Sequence, residues 1–185
     1  MNINGRAATV YFISPGQVNV LGPLDETAGN VQVTLTNRYG TSPPLTVRIA
    51  NYLPAFYAPF GEATGLRVTA VALDGTYVGK VGLDPRVTRA ARPGEIIQVF
   101  ATGFGPTTPA TPSDVIFMGA PTLVNRPRIT IGGREATFVG NGNLVAPGLY
   151  QFNVTIPDLA DGDHAIVAEA GGATSSPRVF LSVGR

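Results

Sequence analysis

The chain has 185 residues, enough for one domain or for two small ones that each bury a core. Charged residues make up only 14% of it and the net charge is +1, so no broad electrostatic field draws it to nucleic acid or to an anionic membrane. With 23 glycines, 16 prolines and 44% apolar residues it reads as short strands joined by tight turns, and without cysteine it has no disulfide framework or thiolate metal site.

The chain opens with Asn4-Gly5-Arg6-Ala7-Ala8-Thr9 and runs into Ser14-Pro15-Gly16-Gln17-Val18-Asn19-Val20. Val31-Gln32-Val33-Thr34-Leu35-Thr36 then alternates apolar and polar side chains, as does Leu45-Thr46-Val47-Arg48-Ile49 after Pro43-Pro44. A period of two predicts strands with one face buried, here joined through a turn region at Arg38-Tyr39-Gly40. Residues 68–73 and 95–101 read as further strands, punctuated by Asp74-Gly75 and by Arg92-Pro93-Gly94. The opening phrase returns at Gly132-Gly133-Arg134-Glu135-Ala136-Thr137, and its sequel returns in the same order. Residues 146–157 answer 14–23 with a few residues inserted, and Ala173-Thr174-Ser175-Ser176-Pro177 answers Gly40-Thr41-Ser42-Pro43. Residues 164–169, a Gly171-Gly172 turn and residues 178–183 predict the same hairpin again. No window supports a long amphipathic helix, and no apolar stretch is long enough to span a bilayer.

A block duplicated in this way predicts tandem modules in an all-β fold. The copies are unequal. Residues 92–106 supply two or so strands ahead of the second copy, whereas the first begins almost at Met1 with no counterpart. The expected organisation is a partial module over 1–54, a connector over 55–66 and a complete module over 67–185. A sandwich without its opening strands exposes backbone edges that invite pairing with another copy or with the linker. The asymmetry also leads us to expect the C-terminal piece of a longer parent protein, with upstream domains as partners and any export signal outside this chain. The aromatics in and beside the connector, Tyr52, Phe56, Tyr57 and Phe60, have two readings: a seal between modules, or a platform that binds a sugar or peptide.

Three segments carry a family resemblance. Ser14-Pro15-Gly16-Gln17-Val18-Asn19 resembles a Ser-Pro-x-Gln-Ile-Asn strand, Ala101-Thr102-Gly103-Phe104-Gly105-Pro106-Thr107-Thr108-Pro109 an Ala-Thr-Gly-x-Gly-x-Thr-x-Pro segment, and Tyr150-Gln151-Phe152-Asn153-Val154 a Tyr-Gln-Ile-Asn-Val strand. In that order they resemble the uncharacterised immunoglobulin-like C-terminal domain family that ends many large secreted proteins of soil acidobacteria. Gly103-Phe104-Gly105 is also similar to TIG-type immunoglobulin-like modules. The resemblance covers essentially the whole chain and implies two tandem immunoglobulin-like β-sandwich modules, the first lacking its opening strands, in an extracellular or cell-surface protein. It brings no catalytic or binding residues with it.

The candidate chemistry is sparse. Asp158, Asp161 and Asp163 crowd one turn with His164, and oxygen ligands at that spacing suit calcium, but the full calcium-loop pattern is absent. Asp and Gly are equally the residues of a tight β-connection, and Asp25-Glu26 in the matching place of the first copy repeats no ligand set. The only imidazole lies in that turn, which argues against a serine triad, and Asp74 and Asp84 have no evident shared cleft for paired-acid chemistry. Gly103-Phe104-Gly105 lacks the lysine and helix of a phosphate loop. Arg126, Arg128 and Arg134 read as solvated or paired with a neighbour such as Glu135. The expectation is therefore a non-catalytic spacer or adhesion module without cofactor, metal, nucleic-acid partner or membrane insertion. The alternative is a carbohydrate-binding accessory module, and the partners considered beyond the parent protein and another copy are a glycan or a surface protein.

Overall fold

The computed structural model of the chain describes residues 1–22, 28–112, 114 and 116–185. Among them the fold is all-β, with no helix. The Asp25-Glu26 pair lies outside the described residues.

The first half contributes β1 (Asn2–Ile3), β2 (Arg6–Ala7), β3 (Val10–Ser14), β4 (Gln17–Val20), β5 (Gly29–Thr34), β6 (Thr36–Asn37), β7 (Gly40–Thr41) and β8 (Leu45–Ile49). One sheet runs in the order β2-β1-β5-β8, and β3-β4 and β6-β7 are separate hairpins. Their buried core is small: Ile3, Ala8, Val31 and Val33, with Val20, Val47 and Ile49 packed against it.

The second half begins with β9 (Ala55–Phe56), β10 (Phe60–Glu62), β11 (Gly65–Arg67), β12 (Ala70–Ala72), β13 (Tyr77–Val78) and β14 (Ile96–Thr102). It continues with β15 (Thr107–Thr108), β16 (Thr122–Leu123), β17 (Arg128–Ile131), β18 (Arg134–Glu135), β19 (Thr137–Ala146), β20 (Leu149–Thr155), β21 (Gly162–Ala170), β22 (Ala173–Thr174) and β23 (Val179–Val183). One sheet runs β10-β11-β23-β21-β17-β18 and the other β13-β12-β14-β20-β19-β16-β15. In β14 every second side chain is buried, as in β20, because each strand turns one face to the core. Ile129, Ile166 and Leu181 of the first sheet and Val99, Phe152 and Val154 of the second belong to one continuous core, which is the two-layer arrangement of a β-sandwich.

Phe104 sits at the centre of that core. Its ring centroid is 4.6 Å from Phe152, 5.9 Å from Tyr150 and 6.4 Å from Phe56, all in tilted or edge geometries that aromatic quadrupoles favour. The flanking glycines make the seat possible. A Cβ on Gly103 would lie 2.0 Å from the Leu53 carbonyl oxygen, and one on Gly105 would lie 2.2 Å from the Tyr52 ring. The Gly103-Phe104-Gly105 motif is thus a packing device.

The two halves share their pairings. Ile3 pairs with Arg6 across Asn4-Gly5 as Ile131 pairs with Arg134 across Gly132-Gly133, and the four turn residues have φ from 52° to 78°. That is the left-handed geometry of a two-residue hairpin turn. Ile3 pairs with Val33 as Ile131 pairs with Ile166, and Gly29 pairs with Ile49 as Gly162 pairs with Val183. Gln17 Nε2 donates to Asn19 Oδ1 as Gln151 Nε2 donates to Asn153 Oδ1. The Leu35 N–H donates to Ser42 Oγ as the Ala168 N–H donates to Ser175 Oγ.

The two halves differ in how this frame is covered. By the shared register, Leu45 stands where Val179 does, yet Leu45 is 63% exposed and Val179 is 4% exposed. In the second half β11 runs parallel along β23 and β14 runs antiparallel along β20. Among the described residues no strand takes either place in the first half. The stretch expected as a connector, 55–66, is itself part of that cover: β9 pairs with β14, and β10 pairs with β11. Two of its short strands find partners remote in sequence, β9 on β14 and β11 on β23, while β10 closes a local hairpin with β11.

Candidate functional site

The outer face of the sheet containing β14 and β20 carries the site. Alternation turns Val99 into the core and therefore Phe100 out of it. The same rule acts at β9, where Phe56 is buried and the next residue, Tyr57, is 58% exposed. β13 pairs Tyr77 with Val71 of β12, placing a second aromatic residue on a neighbouring strand. Tyr57, Thr69, Val71, Tyr77, Arg86, Phe100 and Leu149 line a groove of about 420 Å³, a size that suits a small ligand or a few residues of a chain.

One charge in the groove is fixed from beneath. Asp84 is buried and accepts hydrogen bonds from the Arg86 backbone N–H at 3.0 Å, Nε at 3.0 Å and Nη2 at 2.7 Å, with Thr69 Oγ1 at 3.4 Å. The Arg86 side-chain hydrogen bonds outweigh the burial penalty and lower the Asp84 pKa from 3.8 to about 2. Asp84 is therefore ionised at neutral pH and holds the guanidinium in place, 4.5 Å above the Tyr77 ring. The groove offers aromatic and aliphatic faces, a hydroxyl and a positioned cation with several N–H donors. A ring-shaped ligand can stack on the first and hydrogen-bond through its rim to the rest.

The four aromatics singled out from the sequence do not form one platform. Tyr52 is half-buried against the core with its hydroxyl accepting from Asn125 Nδ2 at 2.8 Å, and Phe56 is in the core. Tyr57 alone lines the groove, while Phe60 lies in β10 on the other sheet, opposite Arg67. No sequence signal sets Tyr77 and Phe100 apart: Phe100 stands in the apolar run Val99-Phe100-Ala101, and β13 is only two residues long, so no alternation declares which side chain faces out.

The acidic turn is divided among structural contacts. Asp158 pairs with Arg185 at 3.2 Å, Asp161 is exposed, and Asp163 accepts from Ser182 Oγ, Lys80 Nζ and Arg67 Nη2. Burial works to raise the Asp163 pKa, but the Ser182 and Lys80 hydrogen bonds and the Arg67 charge hold it below the ordinary value. Arg67 also meets Glu62 at 2.8 Å, so this network braces the β10-β11 hairpin to β21 and β23. Among the described residues no group of three or more His, Cys, Asp or Glu side chains converges in a way that holds a metal ion. His164 Nε2 lies 2.8 Å from the Ala160 carbonyl, an acceptor only, which makes Nε2 the protonated nitrogen. The arginines are also engaged: Arg126 stacks on Phe138, Arg128 bridges Glu135 and Glu169, and Arg134 donates to the Asp158 carbonyl. No family model, curated protein or solved structure matches the chain.

Proposed function

We propose that the chain is a non-catalytic structural or interaction module, a spacer or adhesion unit built from two copies of one immunoglobulin-like sandwich, near the C-terminal end of an exported or cell-surface protein. The observation that carries this reading is the shared register of the two halves, down to the paired Gln-Asn and Ser hydrogen bonds. Repetition of a packed frame extends a protein and multiplies its surface without building a reaction centre. In keeping with this, the titratable groups of the acidic turn and of the arginine face serve as braces between strands.

A second reading, a carbohydrate-binding accessory module, is favoured by the groove at Tyr57, Tyr77 and Phe100. A glycan array probed with the whole chain separates the two. Under the structural reading no glycan binds saturably. Saturable binding that falls at least about tenfold in Tyr57→Ala and Tyr77→Ala, the loss expected when a stacking face is removed, replaces it with the accessory reading.

A further inference from the structure

We infer that the groove beside Arg86 takes a small planar aromatic carboxylate, its ring among Tyr57, Val71, Phe100 and Leu149 and its carboxylate on the open edge of the Arg86 guanidinium. The inference goes beyond both readings above, since it concerns neither a spacer nor a glycan. The groove is a seam in the sheet. β20 holds one edge of β14, so β9 and β12 follow each other along the opposite edge, with Phe56 opposite Ala101 and Val71 opposite Gln98. Between them the chain leaves for the other sheet, where β11 pairs with β23. Phe100 lies where one partner gives way to the next: the Tyr57 N–H donates to its carbonyl at 2.8 Å, and Tyr57 and Thr69 line the groove with it. Val71, Tyr77, Phe100 and Leu149 stand on paired strands and Tyr57 is tied to one, so the apolar walls are in place before a ligand arrives.

The charge decides the class of ligand. A guanidinium has two edges that grip a carboxylate with paired N–H donors. Asp84 takes the Nε–Nη2 edge, at 3.0 and 2.7 Å, and at 2% exposure it lies behind the arginine, away from solvent. The Nη1–Nη2 edge remains for a second carboxylate on a side chain that is 53% exposed and stacked 4.5 Å from the Tyr77 ring. No acidic residue is among the described residues that line the groove, so its walls hold no rival for that edge. The rest of the lining decides the ring. Thr69 directs its hydroxyl to Asp84 at 3.4 Å, and Val71, Phe100 and Leu149 offer no hydrogen-bonding side chain. A glycan can stack on the exposed Tyr57, but ring hydroxyls set against these apolar side chains stay unpartnered, which is costly. An aromatic ring carries no such groups and gains the offset and edge contacts that Tyr77 and Phe100 provide.

The probe is trans-cinnamate, titrated into the intact 185-residue chain by calorimetry and ligand-observed NMR beside cinnamamide, its neutral counterpart of the same shape. Saturable binding of cinnamate is expected, at least about tenfold tighter than that of cinnamamide, the difference that paired charge-assisted hydrogen bonds make. Phe100→Ala is expected to weaken both ligands at least about threefold. Arg86→Gln alone leaves Asp84 buried without its partner and can unfold the chain, so the charge is tested with Asp84→Asn and Arg86→Gln together, which removes both ions at once. That double variant, shown to be folded by its thermal transition, is expected to bind cinnamate no better than cinnamamide. No saturable binding of cinnamate, equal binding of acid and amide by the parent, or a preference for the acid that survives in the double variant overturns the inference. N-acetylphenylalanine binding at least about tenfold tighter than cinnamate overturns it too and makes the occupant the C-terminus of a polypeptide. The glycan array reads none of these outcomes, so this inference and the proposed function fail separately.

Discussion

The same serine hydrogen bond occurs twice in this molecule, once in water and once in the core, and that permits a controlled test of what a buried partner is worth. Ser175 is buried, and its Oγ accepts from the Ala168 N–H at 2.9 Å. Ser175→Ala leaves that N–H without an acceptor and out of reach of water, a loss of about 1–3 kcal/mol. Ser42 Oγ accepts from the Leu35 N–H at 3.1 Å in an exposed setting. In Ser42→Ala water takes over the donor, and the change stays within about 0.5 kcal/mol. The backbone return bonds, Ser42 N–H to Leu35 O and Ser175 N–H to Ala168 O, survive in both variants, so the geometry of the turn is held constant. Thermal and urea unfolding of the two variants beside the parent gives the comparison. At about 2–4 °C per kcal/mol for a protein of this size, Ser175→Ala melts several degrees lower and Ser42→Ala within about 2 °C of the parent. Equal losses in the two variants, or a loss below about 0.5 kcal/mol for Ser175→Ala, would refute the reasoning that burial sets the cost.

Phe104→Ala removes the ring around which Phe56, Tyr150 and Phe152 assemble, and a loss of about 3–5 kcal/mol is expected by urea unfolding, larger than for any exposed aromatic such as Tyr39→Ala. Asp84 has a folded pKa of about 2, below its ordinary 3.8, so its contribution is fully present above about pH 4 and is lost as pH falls through 2. Asp84→Asn is therefore expected to be less stable than the parent at pH 7, with the gap closing between pH 4 and pH 2; a gap that stays constant across that range contradicts the assignment.

The strands legible in the sequence are those long enough to declare themselves, by apolar-polar alternation at 31–36 and 45–49 and by apolar runs bounded by turn residues at 95–101 and 164–169. For 95–101 and 164–169 the structure has strands Ile96–Thr102 and Gly162–Ala170. The short strands β9, β10 and β11 were not legible, since two or three residues rich in aromatics and glycine carry no period. The state of β9 and β11 is decided by partners far along the chain, Phe56 opposite Ala101 and Leu66 opposite Val179, and β10 follows β11 as its hairpin partner. The groove was hidden for the same reason. Tyr57 belongs to an aromatic run in the sequence, but which of its neighbours face the core depends on the pairing of β9, and Tyr77 and Phe100 reach the groove only because β12, β13 and β14 lie side by side.

The repeated phrase in the sequence was a stronger signal than any single strand, because two-residue turns, paired serines and paired Gln-Asn bonds recur only if the same pairings recur. What it could not convey is that equal frames need not be equally stable. In the second half, Val179, Leu181 and Val183 are enclosed by strands drawn from residues 55–102, while their counterparts Leu45, Val47 and Ile49 keep part of their surface in water. Each such side chain forgoes some of the roughly 25 cal/mol per Å² that apolar burial returns, and among the described residues the cluster of Ile3, Ala8, Val31 and Val33 has little in reserve. Among the described residues the first half is thus the element in which local opening costs least, although its strand register repeats that of the second half.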